Sequence, residues 1–140
     1  MLYLDTSLLV AILAREPDTD RLRTWLAERE SEKFAVSDWV VAEFSAALSI
    51  KLRTGRITLD YRAAVLKEFA DMVAHAFERL PISAAHFRTA AHFADRHSLG
   101  LRAGDALHLA VASDQGATLC TLDRRLAAAG SELGVRTLLV

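Results

Sequence analysis

A chain of 140 residues, 52% hydrophobic and 25% charged, is long enough to bury a core and too apolar to be disordered. Its formal net charge of −1 excludes a global positive field that recruits nucleic acid, so any such contact must come from local patches or a bound cation. Cys120 is the only cysteine, which excludes an internal disulfide and a thiolate metal cage and reads as a reduced, cytoplasmic setting.

The first apolar run, "LYLD", reads as a fully buried strand ending in an acid. "TSLLVAILA" follows. It resembles the apolar centre of a signal peptide, but nothing basic precedes it, Asp5 stands directly before it, and Arg15 and Glu16 follow at once. It is also too short to span a bilayer, so it reads as a buried helix and the chain as one without a membrane segment. Pro17 opens a second helix through "DTDRLRTWLAERE", with Leu22, Trp25 and Leu26 on one face. "KFAVS" is a second strand. Ser37 caps a helix from about Asp38 to Arg53, closed near Gly55. Thr58 caps the next, "LDYRAAVLKEFADMVAHAF". "ERLPIS" reads as a third strand, and Ser83 caps "AAHFRTAAHFADRHS". After the turn at Gly100 come the apolar helix of "LRAGDALHLAVAS", a strand "ATLCTL", a short helix "RRLAAAG" and a last strand "VRTLLV". Strands separated by helices, with apolar runs on both faces, indicate an α/β fold with an open parallel sheet and helices on both faces. No repeat or linker divides residues 1–140, which are expected to form a single domain. The two helices between the second and third strands are expected to form a lobe standing off the sheet.

In open parallel sheets, sites form beyond the carboxyl ends of strands, where strand order reverses. Asp5 closes the first strand and Asp123 closes "ATLCTL". Asp105 stands at the mouth of the most apolar helix, where it is either a helix cap or part of a site. Glu43 lies on the helical arc that also carries Val40, Phe44 and Ala47. An unpaired acid on a buried face is costly. Lys51, two turns on, sits at the frayed end of that helix, so Glu43 needs a cation or a proton. Four acids in one place would repel and raise one another's pKa. A hard divalent cation, Mg²⁺ or Mn²⁺, resolves this with a few carboxylates while keeping several waters, as phosphodiester hydrolysis requires.

"YLDTS", "VSDWVVAEF", "LRAGDALHLA" and "TLDRRLA" occur in this order across essentially the whole chain. Together they resemble the acidic motifs of the PIN-domain nucleases, and most nearly those of the VapC toxins of VapBC toxin–antitoxin pairs. The resemblance implies a three-layer PIN-like fold and a Mg²⁺- or Mn²⁺-dependent endoribonuclease that hydrolyses RNA with metal-activated water. It implies that Asp5, Glu43 and Asp105 form the core acidic set, with Asp123 at a fourth, more variable position. It further implies an RNA substrate, a small antitoxin docked near the site, and a homodimer. Gly104 departs from many relatives, which carry proline there; glycine also suits a turn before a helix.

Other residues have two readings. Thr6 and Ser7 follow Asp5 at a helix start, where they cap the helix or hold a water or phosphate oxygen. Thr121, two residues before Asp123, is a weaker version of the same case. His108 reads as an interior histidine satisfied by a neighbour rather than a catalytic one. His75, His86, His92 and His97 lack the spacing of a zinc pair and are expected on solvated helix faces. Arg102, Arg124 and Arg125 flank the acidic positions and suit RNA phosphates, and two of them open a helix, where a cation is otherwise disfavoured. Lys51, Arg53 and Arg56 close a helix, where basic residues belong. Asp114 falls half a turn from Asp105 and misses the site. Phosphoryl transfer through an aspartyl-phosphate at Asp5 would want a second acid close behind it and a lysine at a late strand end; neither is present. A PIN nuclease of RNA processing, and a catalytically silent binding module, remain as alternatives to the toxin.

Overall fold

Five short strands, all parallel, carry the molecule: β1 (Leu2–Leu4), β2 (Phe34–Ser37), β3 (Phe77–Leu80), β4 (Thr118–Thr121) and β5 (Thr137–Leu139). Their order in the sheet is β3-β2-β1-β4-β5. The structure is a computed structural model and describes all residues 1–140. Helices fill the connections: α1 (Thr6–Leu13) and α2 (Thr19–Ala27) after β1, α3 (Asp38–Arg53) and α4 (Leu59–His75) after β2, α5 (Ala84–Asp95) and α6 (Ala103–Asp114) after β3, and α7 (Arg124–Glu132) after β4. The chain steps outward from β1 to β3, then returns past β1 to β4 and β5. Right-handed crossovers therefore put α1–α4 on one face and α5–α7 on the other, giving three layers. The reversal falls between β1 and β4, which pair from Leu2 with Thr118 to Leu4 with Cys120.

The local chemistry explains the boundaries. Ser37 and Thr58 cap α3 and α4 by accepting the amides of Val40 at 3.4 Å and Tyr61 at 3.2 Å. Strand β3 stops at Leu80 because Pro81 has no amide to continue a ladder. Helix α2 starts at Thr19, two residues later than Pro17 suggests. The Thr19 hydroxyl accepts the Glu16 amide at 2.8 Å and donates to the Ala11 carbonyl at 2.6 Å, which ties the α1–α2 turn down first.

Two expectations need correcting. Helices α3 and α4 form no lobe apart from the sheet. Val65 and Phe69 of α4 belong to the same 30-residue core as Leu4, Val36 and Leu109, and Phe69 stacks on Phe44 at 4.0 Å between ring centres. Two helices that each carry apolar residues on one face bury them on the sheet layer they adjoin. His86 is not on a solvated face either. It is 5% exposed. Its Nδ1 accepts the Ser83 amide at 3.1 Å, closing the capping box of α5, and its Nε2 bonds Asp114 at 3.1 Å. Asp114 is thus occupied in packing α5 against α6, away from the four acids. No helix is long and apolar enough to cross a membrane.

Candidate active site

The reversal of strand order opens a cleft of about 470 Å³ at the carboxyl ends of β1 and β4. Asp5, Glu43, Asp105 and Asp123 all line it, with Thr6, Ser7 and His108 among them and Val10, Ala47, Ile50 and Leu126 on its apolar side. No lysine or arginine lines it.

Asp5 is 3% exposed. It caps α1 by accepting the Leu8 amide at 2.9 Å, so Thr6 and Ser7 are free of the capping duty considered for them. Both hydroxyls serve acids instead. Ser7 donates to the Asp5 carboxylate at 2.8 Å, and Thr6 donates to Glu43 Oε2 at 2.6 Å. Thr121, at the end of β4, donates to Asp5 Oδ2 at 2.6 Å and accepts the Asp123 amide at 2.9 Å. The ends of β1 and β4 are thus one hydrogen-bonded unit, joined also by the Leu122 amide to Ser7 at 3.3 Å. Asp123 caps α7 through the amides of Arg125 at 2.7 Å and Leu126 at 3.2 Å. Asp105, in the first turn of α6, accepts the Arg102 amide at 3.3 Å.

Glu43 is half-buried, and the partner that its place on the apolar arc calls for is His108. The imidazole Nε2 lies 2.7 Å from Glu43 Oε2, while Nδ1 bonds the Tyr3 hydroxyl at 2.9 Å. Lys51 is committed to Glu16. His108 is therefore both the satisfied interior histidine that its apolar helix suggests and a wall of the cleft. Tyr3 went unread in the sequence, because a tyrosine in an apolar strand looks like core.

The acids do not simply raise one another's pKa. Burial pushes the Asp5 carboxyl above the ordinary carboxylate range, against the Thr121 hydroxyl and the Leu8 amide, which pull it back. Glu43 moves the other way. Its partial burial is outweighed by the bond and charge of His108, the Thr6 hydroxyl and the nearby Trp39 indole, which hold it low. The Trp39 Nε1–H is buried beside Glu43 without an aligned acceptor.

The donor set suits a hard cation. A buried carboxylate with no lysine or arginine beside it and three further carboxylates on one cleft are oxygen ligands of the kind Mg²⁺ and Mn²⁺ take. The carboxylates do not close into a cage: no three acids, histidines or cysteines gather tightly enough to ligate one ion together. Arg102, Arg124 and Arg125 are exposed and form no ion pair; Arg124 and Arg125 adjoin Asp123 and Leu126 in the chain and Arg102 precedes Asp105 by three residues, but none lines the cleft.

This fold and this arrangement of acids define a class. The model of the PIN domain matches residues 2–132, and the chain belongs to the PIN-domain family. Among curated relatives it is similar to Ribonuclease VapC35 of Mycobacterium tuberculosis, 30% identical, over 96% of this chain and 93% of the relative. Among solved structures it is similar to FitAcB from Neisseria gonorrhoeae, with a TM-score of 0.76, 22% identity, and 99% and 96% of the two chains covered. It is also similar to VapBC-5 from Mycobacterium tuberculosis, a member of the VapBC family of toxin–antitoxin systems. There the TM-score is 0.61, the identity 25%, and the coverage 99% and 97%.

Proposed function

We propose that this chain is a Mg²⁺- or Mn²⁺-dependent endoribonuclease and the toxin of a type II toxin–antitoxin pair, acting in the cytoplasm. One observation carries the reading: four carboxylates line a single cleft at the strand-order reversal, with no lysine or arginine among them. Asp5, Glu43, Asp105 and Asp123 would hold the ion. Once bound, it would activate the attacking water and offset charge on the leaving oxygen of the phosphodiester. The chain's own contribution is positional. Ser7 and Thr121 fix Asp5, Thr6 and His108 fix Glu43, and both sets of bonds are made by side chains on the sheet's rim or its adjoining helices. Arg102, Arg124 and Arg125 are the cations available to RNA phosphates beside the cleft. The similarity to VapC35 and to a VapBC system supports the toxin role and its small antitoxin partner, and the homodimer is proposed with that reading.

Purified protein freed of any partner should cut RNA with Mg²⁺ or Mn²⁺ and stop with EDTA. Cleavage undiminished by the chelator overturns the mechanism, and no cleavage with either metal favours a silent module. Co-expression of the small protein encoded beside this chain should relieve growth arrest and yield a complex. Failure of both leaves a nuclease of RNA processing.

Gly104 supplies a sharper test. Its backbone needs no left-handed conformation, yet a Cβ there would lie 2.9 Å from Glu43 Oε1 and 3.3 Å from the Trp39 ring. Glu43 cannot swing away without straining its bonds to Thr6 and His108. Gly104→Ala should therefore lower cleavage about tenfold, the effect of losing roughly one hydrogen bond. The melting temperature should stay close to wild type, since alanine's preference for the helix offsets the strain on those bonds.

A further inference from the structure

We infer that His108 and Tyr3 are positioning residues that hold Glu43 in the geometry needed for the cation. The inference rests on the reading of Glu43 as part of a cation site. The structure contains a continuous chain of buried polar contacts that ends on this carboxylate. The Ser37 Oγ caps α3 and lies 2.7 Å from the Tyr3 hydroxyl. The Tyr3 hydroxyl lies 2.9 Å from His108 Nδ1, and His108 Nε2 lies 2.7 Å from Glu43 Oε2. A carboxylate oxygen accepts, so the 2.7 Å contact to Glu43 Oε2 is made by an N–H at Nε2, which leaves Nδ1 to face the Tyr3 hydroxyl. Glu43 stands on the helix that Ser37 caps, so the chain forms a closed loop through β1, β2, α3 and α6.

This loop is costly as mere packing. Tyr3 and Ser37 are 0% exposed and His108 3%. Apolar residues of similar volume would fill the same space without polar groups to satisfy. The other buried polar residues sort cleanly: Thr19 and His86 fasten a local turn and a helix start, whereas Asp5 and Thr121 belong to the cleft. The polar atoms that penetrate the core therefore lead to the acids. A ligand's hydrogen-bonded supports orient it and set its basicity, and they act on ion affinity as well as on rate.

The test is Mn²⁺ binding to the full chain, stripped with EDTA and dialysed, read by titration calorimetry or by the electron paramagnetic resonance of free Mn²⁺. His108→Ala should bind about 10- to 100-fold more weakly than wild type, the usual effect of removing a ligand's support. His108→Gln presents an N–H toward Glu43 and should recover most of the loss. Tyr3→Phe keeps the ring volume but frees His108 Nδ1, and should bind more weakly than wild type. Melting in EDTA reports folding separately; if His108→Ala does not fold, the other two variants decide. Wild-type affinity in Tyr3→Phe and in the folded His108 variants overturns the inference while the cation site stands. A wild type that binds no Mn²⁺ overturns the cation site, and this inference with it.

Discussion

Asp5→Asn is expected to abolish RNA cleavage and, in EDTA at neutral pH, to raise the melting temperature. The loss follows from removing a buried ligand charge. The cation's share of transition-state stabilisation is several kcal/mol, which corresponds to a fall of about a thousandfold or more. The gain follows from linkage. Burial raises the folded-state pKa of Asp5 above its ordinary value of 3.8, so the folded chain binds protons that the unfolded chain has already released. Its contribution to stability is present below the ordinary value and is lost as pH rises through the folded pKa, leaving a penalty at neutral pH. Asparagine removes the charge and caps α1 about as well. Its amide faces the Thr121 hydroxyl less favourably than a carboxylate does, which offsets about 1 kcal/mol of the gain. The variant's advantage in melting temperature should shrink in acid, and its stabilisation by added Mg²⁺ or Mn²⁺ should be blunted. Glu43 has the reverse sign. His108 holds it low, so its contribution is present above the ordinary value of 4.5 and lost as pH falls. An Asp5→Asn variant that cleaves RNA, or that melts below wild type in EDTA at pH 7, contradicts the reading of the cleft.

Much of this was legible in the chain, for physical reasons that differ from residue to residue. The central strands β1, β2 and β4 are largely buried on both faces and read as apolar runs, which pointed to a parallel sheet; the edge strands β3 and β5 are more exposed and were marked by their place between helices. Asp5 and Asp123 stood out because each ends such a run, and a strand's end at the reversal of order is where polar groups meet a cleft. Glu43 stood out as an acid on an apolar arc. What stayed hidden depended on distances between elements. His108 is 65 residues from Glu43 and 105 from Tyr3, and nothing local marks the three as neighbours. His86 looked like a solvated residue because it lacks the spacing of a zinc pair and nothing local marks a partner for it; its ring turns inward to complete a cap. The apparent lobe of α3 and α4 was a matter of packing, since a helical face shows what is apolar but not which surface covers it. The pKa directions were equally hidden. They depend on how deeply Asp5 sits and on which base reaches Glu43, not on how many acids share the cleft.

Asp105→Asn separates a helix cap from a member of the site. In the structure Asp105 is half-buried, and its carboxylate accepts only the Arg102 amide, at the long distance of 3.3 Å. An asparagine carbonyl accepts the same bond, so a pure cap would survive the substitution with activity and stability intact. As a water-bridged or direct ligand of the cation, Asp105 supplies charge that asparagine cannot. Cleavage should then fall about a hundredfold or more, equivalent to roughly 3 kcal/mol of lost transition-state stabilisation. The response of melting temperature to added Mn²⁺ should shrink as well. In EDTA the variant should melt close to wild type. The large rise expected of Asp5→Asn comes from releasing a charge buried in the core, and Asp105, at the mouth of the cleft, has far less burial to relieve. Full activity with an unchanged response to Mn²⁺ would return Asp105 to the capping role alone. Lost activity with an unchanged melting curve in EDTA would place its charge in the chemistry of the cleft.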